Sequence, residues 1–402
     1  MMMPKRAHLR GSLFALVPVV QVMMVLYGCA DADQTSDLSV SEAVTEAAAE
    51  ERWRAGGIGA DEEIALVAPP RGAAFGPHGL RAVVDGAARI LLLDGEGRLV
   101  RTIGRSGQGP GEFASAARVG FLGDSILWAS DAVLRRLTYF TAEGEALRTA
   151  RQLQMDLPGG AGVAVASRVL ADGGFLGTTT GGSETRDGSP VPRAVTVWSA
   201  EGEGTILQWL DGAPERVEVR MGGSPRPVST TQPIQAWPIV NAAPGGEWFF
   251  VLDRLPAASK EGPSTFRIRR YDPSGNPLGD WSIQYEPQAL DKEVRTFLEG
   301  FAGALGAATG VDADAFMEAF WIPSHLPPVR TALSDSDGFW IQRERTRPGL
   351  WERYDLEGQL VHTAQLPPDF HGLASADSLL LGWELGDLDV PVLVEFLITP
   401  KR

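Results

Sequence analysis

The chain has 402 residues with 44% hydrophobic and 22% charged side chains, the composition of a globular protein with room for one large domain or two ordinary ones. Its net charge of -15 at pH 7 leaves no broad basic surface for phosphate groups and argues against nucleic-acid binding, and its mean hydropathy of -0.05 excludes a polytopic membrane protein. The 47 glycines and 28 prolines favour a turn-rich fold, and the single cysteine permits neither an internal disulfide nor a cysteine-rich metal site.

The first residues have the pattern of a secretion signal. Basic residues precede an apolar run over residues 13–26, which is too short to span about 30 Å of hydrocarbon comfortably. The run leads through a tyrosine and a glycine into Cys29, and this segment resembles the lipobox of bacterial lipoproteins, in which the cysteine carries the lipid anchor. We predict a signal peptide over residues 1–28, acylation of Cys29, and a location in the bacterial cell envelope facing the periplasm or the exterior. An ordinary signal peptide with an incidental cysteine is the alternative.

Residues 30–60, which follow Cys29, are small and acidic and show no steady apolar period. Such a composition is typical of a flexible tether that holds a folded body away from a membrane. Acidic side chains add nothing to membrane affinity, so the lipid on Cys29 would supply the anchor. We therefore predict an acidic tether over residues 29–60 and a folded body over residues 61–400.

Five times along the body, an alternating apolar run ends in a tight turn that closes on a glycine. A polar residue begins the turn, and the glycine adopts the positive φ that lets the chain reverse. Each unit predicts an outer β-hairpin, and a further apolar stretch before each hairpin predicts an inner strand. The hairpin segments are ARILLLDGEG (88–97), RRLTYFTAEG (135–144), RAVTVWSAEG (193–202), RIRRYDPSGN (267–276) and WERYDLEGQL (351–360), with turn glycines Gly97, Gly144, Gly202, Gly275 and Gly358, and the inner-strand segments are 80–85, 124–130, 173–179, 246–253 and 337–344.

The repeated units predict a closed ring. A four-stranded antiparallel unit cannot bury both of its faces alone, so several units must stack around an axis. A sixth unit at residues 376–399 has two strands before the sequence ends, and the strand-like segment EEIALVAP (62–69) is its natural partner, because the pairing removes exposed sheet edges. The prediction is an all-β, six-bladed β-propeller with an N-terminal strand closing the last blade. A seventh blade within residues 203–245 is the alternative.

Residues 288–321 interrupt the β pattern. Apolar residues recur there at helical spacing, and a second helix with Asp312 as its N-cap follows Gly310. We predict a small helical insertion before the fifth blade whose apolar stripe packs on the rim of the propeller, with a partner-binding helical hairpin as the alternative. The apolar positions are Leu290, Val294, Phe297, Leu298, Phe301 and Leu305 in the first helix and Phe316, Met317 and Phe320 in the second.

The segment GRSGQGPGEF (104–113) follows the first predicted hairpin. Together with the five glycine-closed hairpins and the helical insertion, which is followed by HLPPV (325–329), it resembles bacterial six-bladed β-propeller proteins related to the NHL-repeat group over roughly residues 62–399. The resemblance implies a fold but no activity, because propellers carry unrelated functions. The segment lacks the GK[ST] ending of a P-loop and the GxGxxG spacing. We expect its glycines to shape the crossing to the second blade and Phe113 to fill the space between blades.

Histidines are the candidates for a site at the channel mouth, where the loops of a propeller converge. PHGLRAV (77–83) and FHGLASA (370–376) match as repeats, which would place His78 and His371 at equivalent starts of inner strands in the neighbouring first and sixth blades. His325 precedes the inner strand of the fifth blade. Three converging imidazoles would bind a transition metal such as zinc with an open position. The alternative is that these histidines cap or pack within the loops.

Motifs for hydrolytic nucleophiles are absent from the sequence, which has no GxSxG elbow and no HExxH. Tryptophans, among them Trp237, either stack on sugars or fill space between blades. The candidate ligand-binding residues are thus His78, His371 and Trp237. We predict a monomeric, lipid-anchored, non-enzymatic module without a cofactor that binds a peptide, glycan or protein. The alternative is a metal-dependent lyase or hydrolase with zinc or calcium, in which His78, His325 and His371 are the metal ligands for zinc.

Overall fold

The computed structural model describes residues 44–61, 63–86, 88–151, 154–157, 160–180, 193–211, 216–220, 227–235, 237–256, 262–343 and 349–401. Within these residues the fold is all-β and propeller-like, with 27 strands and two helices. The predicted signal peptide and Cys29 lie outside the described residues. In the part of the chain that is described, no helix is both long enough and apolar enough to cross a membrane.

After an N-terminal strand, β1 (Thr45–Gly56), small antiparallel sheets follow one another along the first half of the chain. The first sheet contains β2 (Gly72–Phe75), β3 (Arg81–Val84), β4 (Ile90–Leu93) and β5 (Leu99–Ile103), and the second contains β6 (Ala116–Leu122), β7 (Ile126–Asp131), β8 (Arg136–Thr141) and β9 (Ala146–Arg151). The third contains β10 (Gln154–Leu157), β11 (Gly160–Val169), β12 (Phe175–Thr180), β13 (Arg193–Trp198) and β14 (Gly204–Leu210), and a two-stranded hairpin, β15 (Arg216–Val219) and β16 (Val228–Thr231), follows it.

The second half of the chain repeats this arrangement around two helices. The fourth sheet contains β17 (Ile239–Ala242), β18 (Phe249–Leu252), β19 (Ser264–Tyr271) and β20 (Pro277–Tyr285), and the helices α1 (Lys292–Thr309) and α2 (Ala313–Ala319) come next. The last strands are β21 (Val329–Ser334), β22 (Gly338–Arg343), β23 (Leu350–Asp355), β24 (Leu360–Gln365), β25 (His371–Ala376), β26 (Leu379–Leu385) and β27 (Pro391–Pro400). With β1 they form one eight-stranded sheet in the order β21-β22-β23-β24-β1-β27-β26-β25.

The N-terminal strand β1 joins the two halves of this eight-stranded sheet. It pairs antiparallel with β27 from Ala47 to Gly56 and parallel with β24 over Thr45 to Ala47. An N-terminal strand therefore pairs with the last strand of the fold, but the predicted segment is wrong, because residues 63–69 form no strand and residues 45–56, which were expected in the tether, form β1. The segment is acidic overall, which is typical of a tether, but some of its alternate side chains point into the fold. Among them, Ala47 and Trp53 are 3% and 8% exposed. Hydrogen bonds to two neighbouring strands stabilise this segment despite its modest strand propensity.

Six strands near the centre of the fold contact one another in a cycle. Each of β2, β6, β11, β17, β21 and β25 contacts the next, and β25 contacts β2. All of them except β11, which pairs with β10 as well as with β12, are edge strands of their antiparallel sheets, as expected for the innermost strands of a propeller-like fold. The segments expected as inner strands consequently form the strands that pair with the inner strands, namely β3, β7, β12, β18 and β22. Two of the true inner strands, β2 and β17, have only four residues each, and the GAAF of β2 consists mostly of small residues, so their periodic signal is weak.

The five predicted glycine turns are confirmed. The turn glycines have φ between 76° and 95°, a range that favours glycine over every residue with a Cβ. In each turn the glycine N–H donates to the carbonyl of the residue three positions earlier, for example from Gly97 to Asp94 at 3.2 Å. The outer hairpins that these turns connect are β4–β5, β8–β9, β13–β14, β19–β20 and β23–β24.

The helical insertion is also confirmed. Asp291 caps α1 by accepting from the Val294 N–H at 2.9 Å, Gly310 ends α1 with a φ of 75°, and Asp312 caps α2 as predicted. The apolar faces of the helices pack on the hairpin β15–β16, which supplies Val217 and Val219 to a shared cluster with Ala302, Phe316 and Phe320. Among the described residues of 203–245, where a seventh blade was the alternative, this two-stranded hairpin stands between β14 and β17.

The glycine-rich segment 104–113 is a structural crossing. Phe113 has no exposed surface and packs between the first and second sheets, where the centroid of its ring lies 5.9 Å from that of Phe140. Glu112 accepts a hydrogen bond from the Gly109 N–H at 2.8 Å, and Arg136 donates to carbonyls of the same loop. The polar groups of the loop are thus used to hold the crossing, in agreement with the prediction.

Candidate functional site

The structure separates His78 from His371. His78 lies in the short 3₁₀ turn Pro77–Gly79 between β2 and β3, where it is exposed and has a φ of 55°. His371 is the first residue of β25 and is 7% exposed. His78 therefore follows the end of its inner strand, whereas His371 begins its inner strand. The match between the two sequence repeats placed them at equivalent positions, and that prediction is wrong because a strand precedes the turn that holds His78.

His325 has its own set of contacts beside the helical insertion. Its Nε2 lies 3.0 Å from the Pro256 carbonyl oxygen and 3.3 Å from the Tyr285 hydroxyl, and its Nδ1 lies 3.1 Å from the Ser324 hydroxyl. No group of three or more histidine, cysteine, aspartate or glutamate side chains that could hold a metal ion occurs in the described part of the chain. The predicted group of His78, His325 and His371 is not formed.

Trp237 lies between β16 and β17 and is half-buried. Its ring packs against the apolar cluster between the third and fourth sheets, and the guanidinium carbon of Arg193 lies 4.8 Å from its ring centroid. One face of the indole is therefore covered by a cation, and the ring helps to fill the space between the two sheets. This placement corresponds to the packing role rather than to an open platform for a sugar.

His371 lies between an arginine and a tryptophan. Arg330, on the neighbouring inner strand β21, places its Nη2 atom 3.0 Å from Nδ1 and 3.1 Å from Nε2 of His371. An atom equally close to both ring nitrogens in the ring plane would clash with the carbon between them, so Nη2 lies over the ring face. Trp383 stacks on the imidazole with ring centroids 4.1 Å apart and planes 7° apart. Arg330 and Trp383 thus fix the orientation of His371.

The imidazole of His371 is neutral at physiological pH. Burial, with a contribution from the positive charge of Arg330, lowers its pKa from 6.5 to about 3. A neutral imidazole orients the guanidinium of Arg330 without cancelling its charge. The bulge in β21, whose register shifts between Val329 and Thr331, explains the position of Arg330, because a bulged residue directs its side chain away from the regular pleat.

Arginines also lie within the cycle of inner strands, directly before β2, or shortly after β18, and we call Arg71, Arg118, Arg168, Arg254 and Arg330 the channel arginines. Three of them donate to a main-chain carbonyl of an adjacent inner strand or the residue before it: Arg118 Nη1 to Arg71 at 3.3 Å, Arg254 Nη2 to Arg330 at 3.2 Å, and Arg168 Nη2 to Ala242 at 3.2 Å. Each of these bonds connects a guanidinium group of one unit to the main chain of a neighbouring unit. Arg71 and Arg330 are separated in the sequence by more than half of the chain.

The electrostatics of two channel arginines reflect their enclosure. Burial lowers the pKa of Arg168 to about 10. The positive charge of Arg118 also lowers this pKa, whereas the negative charge of Glu247 raises it. Enclosure by the surrounding protein likewise lowers the pKa of Arg118, although its side chain reaches solvent. The positive charge of Arg118 contributes to the lowered pKa of Arg168, so the two guanidinium groups interact electrostatically.

Sequence motifs do not reveal the channel arginines, because none of these residues belongs to a recognised pattern. One signal was present in the sequence. The short, small-residue segments RGAAF, ARVGF and SRVL each contain an arginine at or near an inner strand, where a chain of this acidity would ordinarily place neutral residues. Without knowledge of which strands are innermost, that signal cannot be assigned to a channel.

No family model matches the chain, and no curated protein matches it. Among solved structures, it is similar to regucalcin, a calcium-binding protein from Agrobacterium tumefaciens, with a TM-score of 0.43 and 14% identity over 89% of this chain and 97% of the other. It is also similar to a putative exported protein from Bacteroides fragilis (TM-score 0.40, 12% identity, 91% and 94% covered) and to BamB from Moraxella catarrhalis (TM-score 0.32, 9% identity, 79% and 70% covered). At these values the similarities carry no conclusion about function.

Proposed function

We propose that this chain is a lipid-anchored protein of the bacterial cell envelope whose six-bladed propeller binds a ligand at the mouth of its central channel. The observation that carries the binding proposal is the cycle of inner strands, in which Arg330, His371 and other channel arginines contact residues of neighbouring units. Their side chains are held by packing and by main-chain carbonyls, which reduces the conformational entropy that a ligand would have to remove on binding.

The number of blades is part of this proposal. The cycle of six inner strands supports six blades, with β21–β24 as the fifth and β25–β27 with β1 as the sixth. In that arrangement β1 removes the free edge of the last blade, and its parallel pairing with β24 attaches it to the fifth.

The membrane anchor is tested by replacing the acylated residue. Full-length protein should partition with membranes after cell fractionation, and Cys29→Ser should move it to the soluble fraction, because one cysteine is available for the lipid. Cys29→Ala is a second variant that keeps the signal peptide unchanged. Membrane sedimentation that is the same in both variants and the wild type would refute the lipid anchor.

Ligand binding is tested with arrays of glycans and peptides probed by the full-length protein in detergent. A ligand of the channel mouth should lose binding in Arg330→Ala and keep it in Arg267→Ala, whose side chain pairs with Asp280 in an exposed hairpin away from the inner strands. Ligands that bind both variants equally well would place the binding surface elsewhere and contradict the proposal.

A further inference from the structure

Ser324 and His325 lie together in the segment that leads from the helical insertion into β21. The Ser324 hydroxyl oxygen lies 3.1 Å from Nδ1 of the His325 ring. Ser324 is exposed, whereas His325 is only 7% exposed. A hydroxyl that reaches solvent is therefore within hydrogen-bond distance of a shielded imidazole, which is the arrangement by which a general base activates a serine.

The other ring nitrogen of His325 fixes the tautomer. Nε2 lies 3.0 Å from the carbonyl oxygen of Pro256. A carbonyl oxygen can only accept a hydrogen bond, so Nε2 of the neutral ring carries the proton and donates. Nδ1 then has a free lone pair, and the Ser324 hydroxyl must be the donor to it. The hydrogen bond between the two side chains thus has the direction that proton transfer from serine to histidine requires.

Tyr285 supports the same orientation of the imidazole. Its hydroxyl oxygen lies 3.3 Å from Nε2 of His325, and the hydroxyl donates to the Pro256 carbonyl at 3.4 Å. The tyrosine and imidazole rings stack with centroids 6.3 Å apart and planes 29° apart. A third group that orients the base completes the pattern of an activated nucleophile. Both partners of Nε2 are uncharged, whereas a catalytic triad has a carboxylate there, so we expect rates below those of a triad enzyme.

The surface next to the serine favours an apolar acyl group. Burial alternates along residues 322–325, with Pro323 and His325 buried. Ile322 and Ser324 are exposed and face solvent on the same side of the segment. The side chain of Ile322 is 42% exposed. A hydrocarbon chain that covers it removes apolar surface from water, whereas a charged acyl group gains nothing there.

We propose that Ser324 is a nucleophile activated by His325 and that it hydrolyses carboxylic esters with a short aliphatic acyl group. In the first step Oγ of Ser324 attacks the ester carbonyl carbon while Nδ1 of His325 takes the hydroxyl proton. The bond from that carbon to the alcohol oxygen then breaks, and the alcohol leaves with the proton. Water attacks the resulting acyl-serine, its proton passes through Nδ1 to Oγ, and the carboxylic acid is released.

This activity is additional to the proposed ligand binding. It uses neither the channel arginines nor the lipid on Cys29, so each proposal can fail without the other. Loss of ligand binding in Arg330→Ala would leave the ester hydrolysis to be measured separately.

Labelling with a fluorophosphonate tests the nucleophile in the full-length protein in detergent. The reagent forms a covalent bond with serines that a base activates, and mass spectrometry of the digested protein locates the modified residue. Ser274 is the matched control, because it is also exposed but lies in the turn 272–276, which contains no histidine. We expect modification of Ser324 and not of Ser274, and this measurement needs no variant.

Hydrolysis of p-nitrophenyl butyrate measures turnover in the same preparation. We expect the rate to fall to background in Ser324→Ala, to fall about a hundredfold or more in His325→Gln, which loses the general base, and to stay unchanged in Ser274→Ala. Because Ser324 is exposed, its alanine variant should keep the fold, and urea unfolding checks this. A folded wild type that is not labelled at Ser324, or hydrolysis that is equal in the wild type and Ser324→Ala, overturns the proposal.

Discussion

Glu395 on β27 connects the start and the end of the propeller-like fold. Its carboxylate has no exposed surface and accepts two hydrogen bonds from Arg81 on β3, at 2.7 and 2.9 Å. It also accepts one from Arg52 on β1 at 2.6 Å. One buried carboxylate therefore joins the first sheet, the last strand and the closing strand.

Glu395→Gln keeps the size of the side chain and removes its charge. The side chain of Arg81 is 4% exposed, so its cation would stay buried with no charge opposite it. Removing one partner of a buried ion pair costs about 3–5 kcal/mol, and we expect the free energy of unfolding to fall by that amount. The contribution of Arg52 is smaller, because its side chain is 36% exposed and solvent screens the interaction.

Urea unfolding at pH 7 measures this loss, and Asp280→Asn is the matched control. Asp280 pairs with Arg267, but the two side chains are 47% and 53% exposed, and such a pair contributes about 0–1 kcal/mol. If Glu395→Gln costs no more than Asp280→Asn, then Glu395 is not in a dry, enclosed position, and its role in closing the fold is refuted.

Gly358→Ala should destabilise the fold by about 1–2 kcal/mol or more, because the φ of Gly358 is 77° and an added Cβ would lie 2.3 Å from the Trp281 ring. Gly300→Ala on α1 should instead stabilise the fold by about 0.5–1 kcal/mol, since no atom lies within 4 Å of its added Cβ. Urea unfolding measures both changes in the free energy of unfolding. Equal effects of the two substitutions would contradict this reasoning. The pKa of His371 is about 3 in the fold and 6.5 in an unfolded chain, so its neutral form stabilises the fold above pH 6.5 and that contribution is lost as the pH falls towards 3. His371→Gln should therefore make the loss of stability between pH 6.5 and 4.5 smaller by up to about 2.7 kcal/mol, from 1.36 kcal/mol per pH unit, and an unchanged slope in urea unfolding across that range would show that His371 is protonated in the fold.

Local rules were sufficient for the hairpins and for the helical insertion. A turn that needs positive φ requires glycine wherever it occurs, and Gly97 and Gly358 satisfy that requirement at opposite ends of the chain. The caps of the helices follow the same logic, because Asp312 and Gly310 act through bonds within a few residues of themselves. Features of this kind depend on the backbone next to the residue and can be derived from the sequence without knowing what packs against it.

The closing strand and the candidate site depended on distant parts of the chain. Residues 45–56 read as a tether because strand pairing with β27 and β24, rather than propensity, makes them a strand. His78 and His371 looked equivalent because a repeat in the sequence does not state whether the strand beside it is the first or the second of its unit.

The channel arginines show the same dependence most clearly. Arg118 donates to Arg71 and Arg330 contacts His371 across gaps of 47 and 41 residues, and only the contacts between neighbouring inner strands bring the members of each pair together. Turn geometry and helix capping were determined by the sequence itself, because they are short-range. The charge pattern of the channel was decided by the tertiary structure, because electrostatic interactions act between whichever side chains the strand pairing places close together.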